Sequence, residues 1–230
     1  MTKYKQIIFL LIISPFIIAN SDDIEEIVTT GSLINNPEEN VSPVDVLTKK
    51  DFNNFNISNI AEISKFITSS SGSHFQANTL EGVDQGMASI TLRGLDHAST
   101  LLLVNSKRHT FAGTPSNQGE GYIDANIIPE IAIKKIEILK KAATSLYGSD
   151  AVAGVVNVFT EKNYDGFKVN VSNFGTTNYD QDDKTIGLLF GSSFEKGNYV
   201  FGLNILDRSA LSASEIPGIA ELGLSGLGKT

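Results

Sequence analysis

The sequence predicts an α+β domain, a short mixed sheet with small helices, followed by the first antiparallel strands of a transmembrane β-barrel. Three observations lead there. The chain opens with an export signal, its middle mixes short helical and strand patterns, and residues 166–207 alternate apolar and polar positions with period two.

Composition narrows the function classes first. The chain has 230 residues, enough for one or two domains with a sizeable core. It has no Cys, no Trp and three His, which excludes disulfide scaffolds, thiol chemistry and Cys-based zinc sites. No pair among His74, His97 and His109 has metal-ligand spacing, so neither a metal nor a cofactor is expected. A net charge of -8 argues against nucleic acid as a partner, because affinity for phosphates comes from Lys and Arg. The 20 Gly residues, set with Ser, Thr and Asn among short apolar stretches, suit a turn-rich β protein.

Residues 1–21 read as a signal peptide. Lys3 and Lys5 form a positive head, Ile7–Ile18 is apolar apart from Ser14 and Pro15, and Ala19 and Ser21 are small residues before Asp22. The apolar run is too short for the roughly 20 residues of a membrane helix. Residues 22–40 are acidic and polar around one apolar patch, Ile24–Val28, and read as a flexible linker.

Residues 41–163 form the compact domain. Val44–Leu47 suits a short strand, and Thr48 with Asp51 three residues later forms a capping-box-like helix start. A second helix is expected with Ser58 as its cap and Ile60, Ile63 and Ile67 on one face. Ser89–Arg93 alternates like a strand, and Leu101–Val104 is a continuous apolar run fit for a buried one. In Ile133–Leu139, Ile136 and Ile138 share one face and Glu137 takes the other. Ala142–Tyr147 suits a short helix ended by a left-handed Gly148, and Val155–Phe159 supplies a last strand.

Residues 164–230 begin the barrel. Phe167, Val169 and Val171 alternate with Lys168, Asn170 and Ser172. Ile186, Leu188, Phe190 and Phe194 share a parity, as do Tyr199, Phe201, Leu203 and Ile205. The connection Gly175–Lys184 is long and polar, while Glu195-Lys196-Gly197 is a tight turn. An amphipathic soluble sheet gives the same alternation. The export signal and the unequal loops favour a membrane barrel. Gly223–Thr230 matches a phosphate-binding loop letter for letter, but that motif needs a following helix and Thr230 is the last residue given. It is read as a chance match, and no acid, base or nucleophile constellation points to an enzyme.

Several motifs then line up in one order. Asp23-Ile24-Glu25-Glu26-Ile27-Val28-Thr29-Thr30-Gly31-Ser32 resembles the coupling box of TonB-dependent outer-membrane receptors, with Thr29 where that family often has Val. Ile90–Leu95 resembles their Ile-Arg-Gly strand, and Leu102–Arg108 their plug hairpin, which usually reads Val-Asn-Gly-Arg-Arg. Ile128–Lys140 followed by Ser145–Val158 carries the resemblance furthest.

The resemblance implies a plug domain, then the start of a barrel of about 22 strands. It implies a receptor in the cell outer membrane that binds and imports a scarce nutrient such as an iron chelate, cobalamin or saccharide. The partners implied are a TonB-type energy-coupling protein, that small ligand, and outer-membrane lipid around the barrel. Glu26, Ile27, Val28, Thr29 and Thr30 would add a strand to the coupling protein's sheet. Arg93 and Lys140 would anchor the plug to carboxylates on the barrel wall. Lys140 stands where Arg is usual and keeps the charge without the fork geometry. Of the polar stretches Ser70–Gln85 and Thr110–Tyr122, with His109 beside the second, we expect His74, Phe75, His109, Phe111 and Tyr122 to meet ligand. The residues after Gly166 leave room for three or four strands of about 9–11 residues, so the barrel is expected to be incomplete in this chain. A self-standing exported plug that binds without transporting, and a non-functional truncated product, are the alternatives.

Overall fold

The computed structural model describes residues 30–31, 44–55, 57, 60–70, 87–116, 119–141, 143–179 and 181–211. The export signal, Glu26–Thr29, Ser58, His74, Phe75 and the Gly223–Thr230 motif lie outside them.

Eight strands form two sheets among the described residues. The first sheet contains β1 (Val44–Thr48), β2 (Thr100–Val104), β3 (Lys107–Arg108), β4 (Ile133–Leu139) and β5 (Gly154–Thr160), in the order β1-β4-β5-β2-β3. Only β2 and β5 run parallel; the other pairs are antiparallel. The apolar run at β2 is buried over Thr100–Leu103, as an inner strand covered on both faces requires.

Period two divides the side chains of this sheet between two cores. Leu102, Ile136, Ile138, Val156 and Val158 lie in one, under Phe52, Ile60, Ile63, Ile67 and Leu92. Leu101, Leu103, Leu139 and Val155 lie in the other, with Ala143 and Ala151. Ile133 has the parity of the second group yet packs in the first. A register shift between Ile133 and Lys135 inserts a residue and reverses which side faces which core.

The helices cover the first core. Helix α1 (Lys49–Phe55) starts as its sequence requires: the Asp51 carboxylate accepts from the Thr48 amide at 2.8 Å and from its hydroxyl at 2.7 Å. The second expected helix is a 3-10 turn, Ile60–Lys65, so Ile67 lies beyond its end although all three isoleucines are buried. Among the described residues, Ser89–Arg93 is not a continuous strand. Leu92 makes an isolated bridge with Ser70, residues 89–92 are all buried, and the His97 ring meets the Ser89 and Thr91 hydroxyls at 3.0 and 3.2 Å. Helix α2 spans Thr144–Tyr147, and Gly148 follows at φ 81°, ψ −172°, an extended conformation with positive φ rather than the helical left-handed one expected.

The second sheet is an antiparallel meander of β6 (Gly166–Gly175), β7 (Asp182–Phe194) and β8 (Gly197–Arg208). The pairing of Phe194 with Gly197 leaves only Glu195 and Lys196 in the turn. The other connection is shorter than expected, because Asp182, Asp183 and Lys184 pair with Gly175, Phe174 and Asn173.

Its two faces are used in an unusual sense. Apolar side chains form ladders across all three strands: Phe167, Phe190 and Phe201; Val169, Leu188 and Leu203; Val171, Ile186 and Ile205. Most of this face is exposed, with Val171 at 71% and Phe167 at 63%. On the opposite face the middle strand is buried at Thr185, Gly187, Leu189 and Gly191, Gly202 and Asn204 of β8 are half-buried, and Lys168 and Asn170 of β6 are exposed. There Leu189 packs on Ile131 and Ala132 of the turn that leads into β4. A side chain at Gly187 would meet Ile131 at 3.0 Å, and one at Gly202 would meet Ala132 at 2.9 Å. Small residues therefore let the compact domain approach this face.

Candidate functional site

The turn Glu130–Ala132 that meets the second sheet is fixed by Lys49. Its ammonium donates to the carbonyls of Glu130, Ile131 and Ile133 at 3.1–3.3 Å, and burial lowers its pKa. A second contact joins the second sheet to the turn Ile60–Lys65 through charge. Arg208 on β8 donates to Asp183 at 2.8 Å through Nε, and its guanidinium lies 3.5 Å from Glu62 of the compact domain. The expected anchors put cations on the compact domain and carboxylates on the strands; this pair reverses that polarity. Nothing in the sequence spacing marks it, since Glu62 and Arg208 meet only through the fold.

Arg93 and Lys140, expected to anchor the domain, are not part of this contact. Arg93 is exposed, at φ 61°, and its amide donates to the Ser69 carbonyl at 2.6 Å. A left-handed conformation is uncommon for a residue with a side chain and marks a position held by its surroundings. Lys140 pairs with Asp45 on β1, inside the compact domain.

Of the expected ligand residues, His109 and Phe111 are exposed beyond β3, while Tyr122 is buried at 7%. The Ala112 amide donates to the Tyr122 carbonyl at 2.8 Å, which closes the loop between them. Gly121 lies against the Phe111 ring, where an added side chain would come within 3.2 Å. His109 and Phe111 border a small cleft with His97, Thr100, Arg108 and Asp150. Arg108 is held there by Asp150 and the Tyr147 carbonyl, and its hydrogen bond keeps the Asp150 carboxyl below its ordinary range. Among the described residues, no group of three or more His, Cys, Asp or Glu could hold a metal ion.

A buried polar slot on the second face of the first sheet was not expected. Glu137 and Asn157 stand opposite each other on β4 and β5, at 0% and 1% exposure. Lys135 reaches Glu137 at 2.8 Å and sits over the Phe159 ring. Thr30, itself buried, fills the slot. Its amide donates to Glu137 Oε2 at 2.8 Å, its hydroxyl meets the same oxygen, and Asn157 donates to its Oγ1 at 3.1 Å. Gly31 follows at φ 93°, with its amide donating to the Tyr147 hydroxyl at 3.2 Å, and a side chain added there would meet Leu139 at 3.2 Å. Of the five residues expected to pair with the coupling protein, Thr30 alone is described, and it is docked on the compact domain. Glu137 was expected on the face away from Ile136 and Ile138, as it is, but that face is covered.

Residues 36–155, just over half the chain, match the family described as TonB-dependent Receptor Plug Domain. The chain is 33% identical over 127 residues to a probable TonB-dependent siderophore receptor, PirA, of Acinetobacter baumannii, covering 52% of this chain and 16% of that one. It is 25% identical over 194 residues to the vitamin B12 transporter BtuB of Vibrio cholerae, covering 84% of this chain and 29% of the transporter. A structure of the ferric enterobactin receptor PfeA of Pseudomonas aeruginosa, a G324V mutant, superposes with a TM-score of 0.57 at 22% identity. That superposition covers 82% of this chain and 27% of the receptor. The chain thus spans less than a third of the length of these proteins.

Proposed function

Because this chain belongs to the TonB-dependent receptor plug family, we propose that it forms the N-terminal portion of an outer-membrane receptor that imports a scarce nutrient with energy from the inner membrane. The observation that carries this reading is the polarity of the second sheet. A soluble sheet would turn its apolar ladders onto the domain and its small polar face to water. Here the small face meets the domain and the apolar ladders face outward, as lipid around a plugged barrel requires. Export by residues 1–21, a coupling segment at 22–40, a plug at 41–163 and barrel strands from 164 fit that arrangement. The names of the relatives suggest an iron chelate or cobalamin as the ligand class. His74, Phe75, His109, Phe111 and Tyr122 remain our candidates to line its path, and Arg93 and Lys140 to face the wall.

Coupling is the step that tests the reading. If Glu26–Thr30 adds a strand to the coupling protein, Val28→Pro removes a ladder donor and fixes φ, and binding is lost. Val28→Thr keeps both backbone groups and β-propensity, and binding stays near wild type. A pull-down with the purified coupling-protein domain checks this. Equal capture of wild type and the Pro variant would reduce the segment to a linker.

A further inference from the structure

We propose that Glu137 is the anchor that clamps the end of the coupling segment to the plug, and that Asn157 ties this anchor to the hairpin beside the candidate ligand loop. The proposal rests on the coupling role assigned above and adds the residue that holds the segment at rest. A carboxylate at 0% exposure needs partners for its charge and lone pairs. Lys135 supplies the counter-charge at 2.8 Å, and the Thr30 amide and hydroxyl supply donors. Pulling Thr30 out of the slot would leave Glu137 short of those donors, a loss larger than that of a bond between neutral groups. A leading segment that only hung from the plug would need no such slot.

The hairpin joins the same network. Asn105 and Ser106 form the turn between β2 and β3 at φ 51° and 65°. Asn157 Oδ1 accepts from the Ser106 amide at 3.0 Å, and its Nδ2 donates to Ser106 Oγ at 3.0 Å and to Thr30 Oγ1 at 3.1 Å. One amide side chain thus holds both a strained turn and the clamped threonine. His109 and Phe111 follow β3, the second strand of that hairpin, so a shift of the hairpin reaches Thr30 through a single residue.

Hydrogen exchange at the residue-30 amide, read by NMR on the 230-residue chain in detergent micelles, tests the clamp directly. In the wild type this amide should exchange about tenfold or more slowly than in an open chain, as a bond to a charged acceptor implies. Thr30→Val keeps the amide and the shape but loses the hydroxyl, and Glu137→Gln loses the charge. Both should bring position 30 close to the open-chain rate while Ile136 and Val156 stay protected. Ser106→Ala should lower protection at position 30 by a few fold, through Asn157. Open-chain exchange at Thr30 in the wild type, or unchanged exchange in both variants, would overturn the anchor.

The coupling-protein domain separates this idea from the one beneath it. Tighter binding to Thr30→Val and Glu137→Gln than to wild type is expected, since release no longer competes. Equal binding by all three, with position 30 equally protected, would overturn the anchor and leave the receptor reading intact. Binding by none, with protection lost in the variants, would overturn the coupling role and leave the anchor standing.

Discussion

The two sheets carry the same alternating code and use it in opposite directions. In the first, Ile136, Ile138, Val156 and Val158 point into a core, and each contributes roughly 1.5–3 kcal/mol by leaving water. In the second, Val169, Val171, Ile186 and Phe201 point away from the protein, and the side with Gly187, Gly191 and Gly202 approaches it. Periodicity therefore states that a strand has two unlike faces. It does not state which face the rest of the chain will cover. Side-chain size decides that here: a face with three glycines can admit a neighbouring turn, and a face of stacked Phe and Val cannot approach one without displacement.

The largest expected effect breaks the comparison at matched positions. Ile136→Ala should destabilise the first sheet by about 2–5 kcal/mol, the usual range for an emptied core site. Val171→Ala, at a position 71% exposed, should stay within about 0.5 kcal/mol in aqueous detergent. Urea unfolding followed by tyrosine fluorescence would measure both. Similar losses at the two sites would mean that the outward ladders are buried by something else. A middle-sized effect sharpens the contact between the sheets. Gly202→Leu forces a side chain into Ala132, and overpacking of this kind costs about 1–3 kcal/mol. The Leu189 amide should then exchange faster while Val156 is unchanged; equal acceleration of both would show that the sheets do not unfold separately.

The smallest effect concerns acid. Hydrogen bonds from the Thr48 amide and hydroxyl hold the Asp51 carboxyl below its ordinary value. A depressed carboxyl contributes stability that is complete above its unfolded pKa, about 4, and fades as pH falls through the folded value. Asp51→Asn should thus cost about 1 kcal/mol or less at pH 7 and almost nothing near pH 2. A constant difference in urea midpoint across that range would show that the cap does not titrate.

Local rules explain what the sequence made legible. The Thr48–Asp51 cap, the buried run at β2 and the alternation of β6, β7 and β8 all depend on neighbours within a few residues. Features built from distant partners were not legible. Ser89–Arg93 alternates, yet its polar groups meet residues further along the chain: His97 lies by the Ser89 and Thr91 hydroxyls, and the Thr100 hydroxyl accepts from the Leu92 amide. Alternation put Glu137 on the face away from Ile136 and Ile138 but could not show what covers that face, because Thr30 lies 107 positions earlier. The ion pair of Lys140 with Asp45 is of the same kind, because Asp45 stands beside it only once β1 has paired with β4.

The strand order also sets a schedule. β5 lies between β4 and β2, so the β1-β4 pair and the β2-β3 hairpin have no shared edge until β5 inserts between them. It is the last strand of that sheet in the chain, and its partners at Thr100–Val104 lie more than 50 residues earlier. Such a closing strand raises contact order and slows assembly. A chain threaded from its N-terminus would carry two disconnected halves, each with an apolar face uncovered, until residue 160 emerged. The five strands become one sheet only in that late step, which makes β5 the piece on which the cooperativity of the whole domain depends.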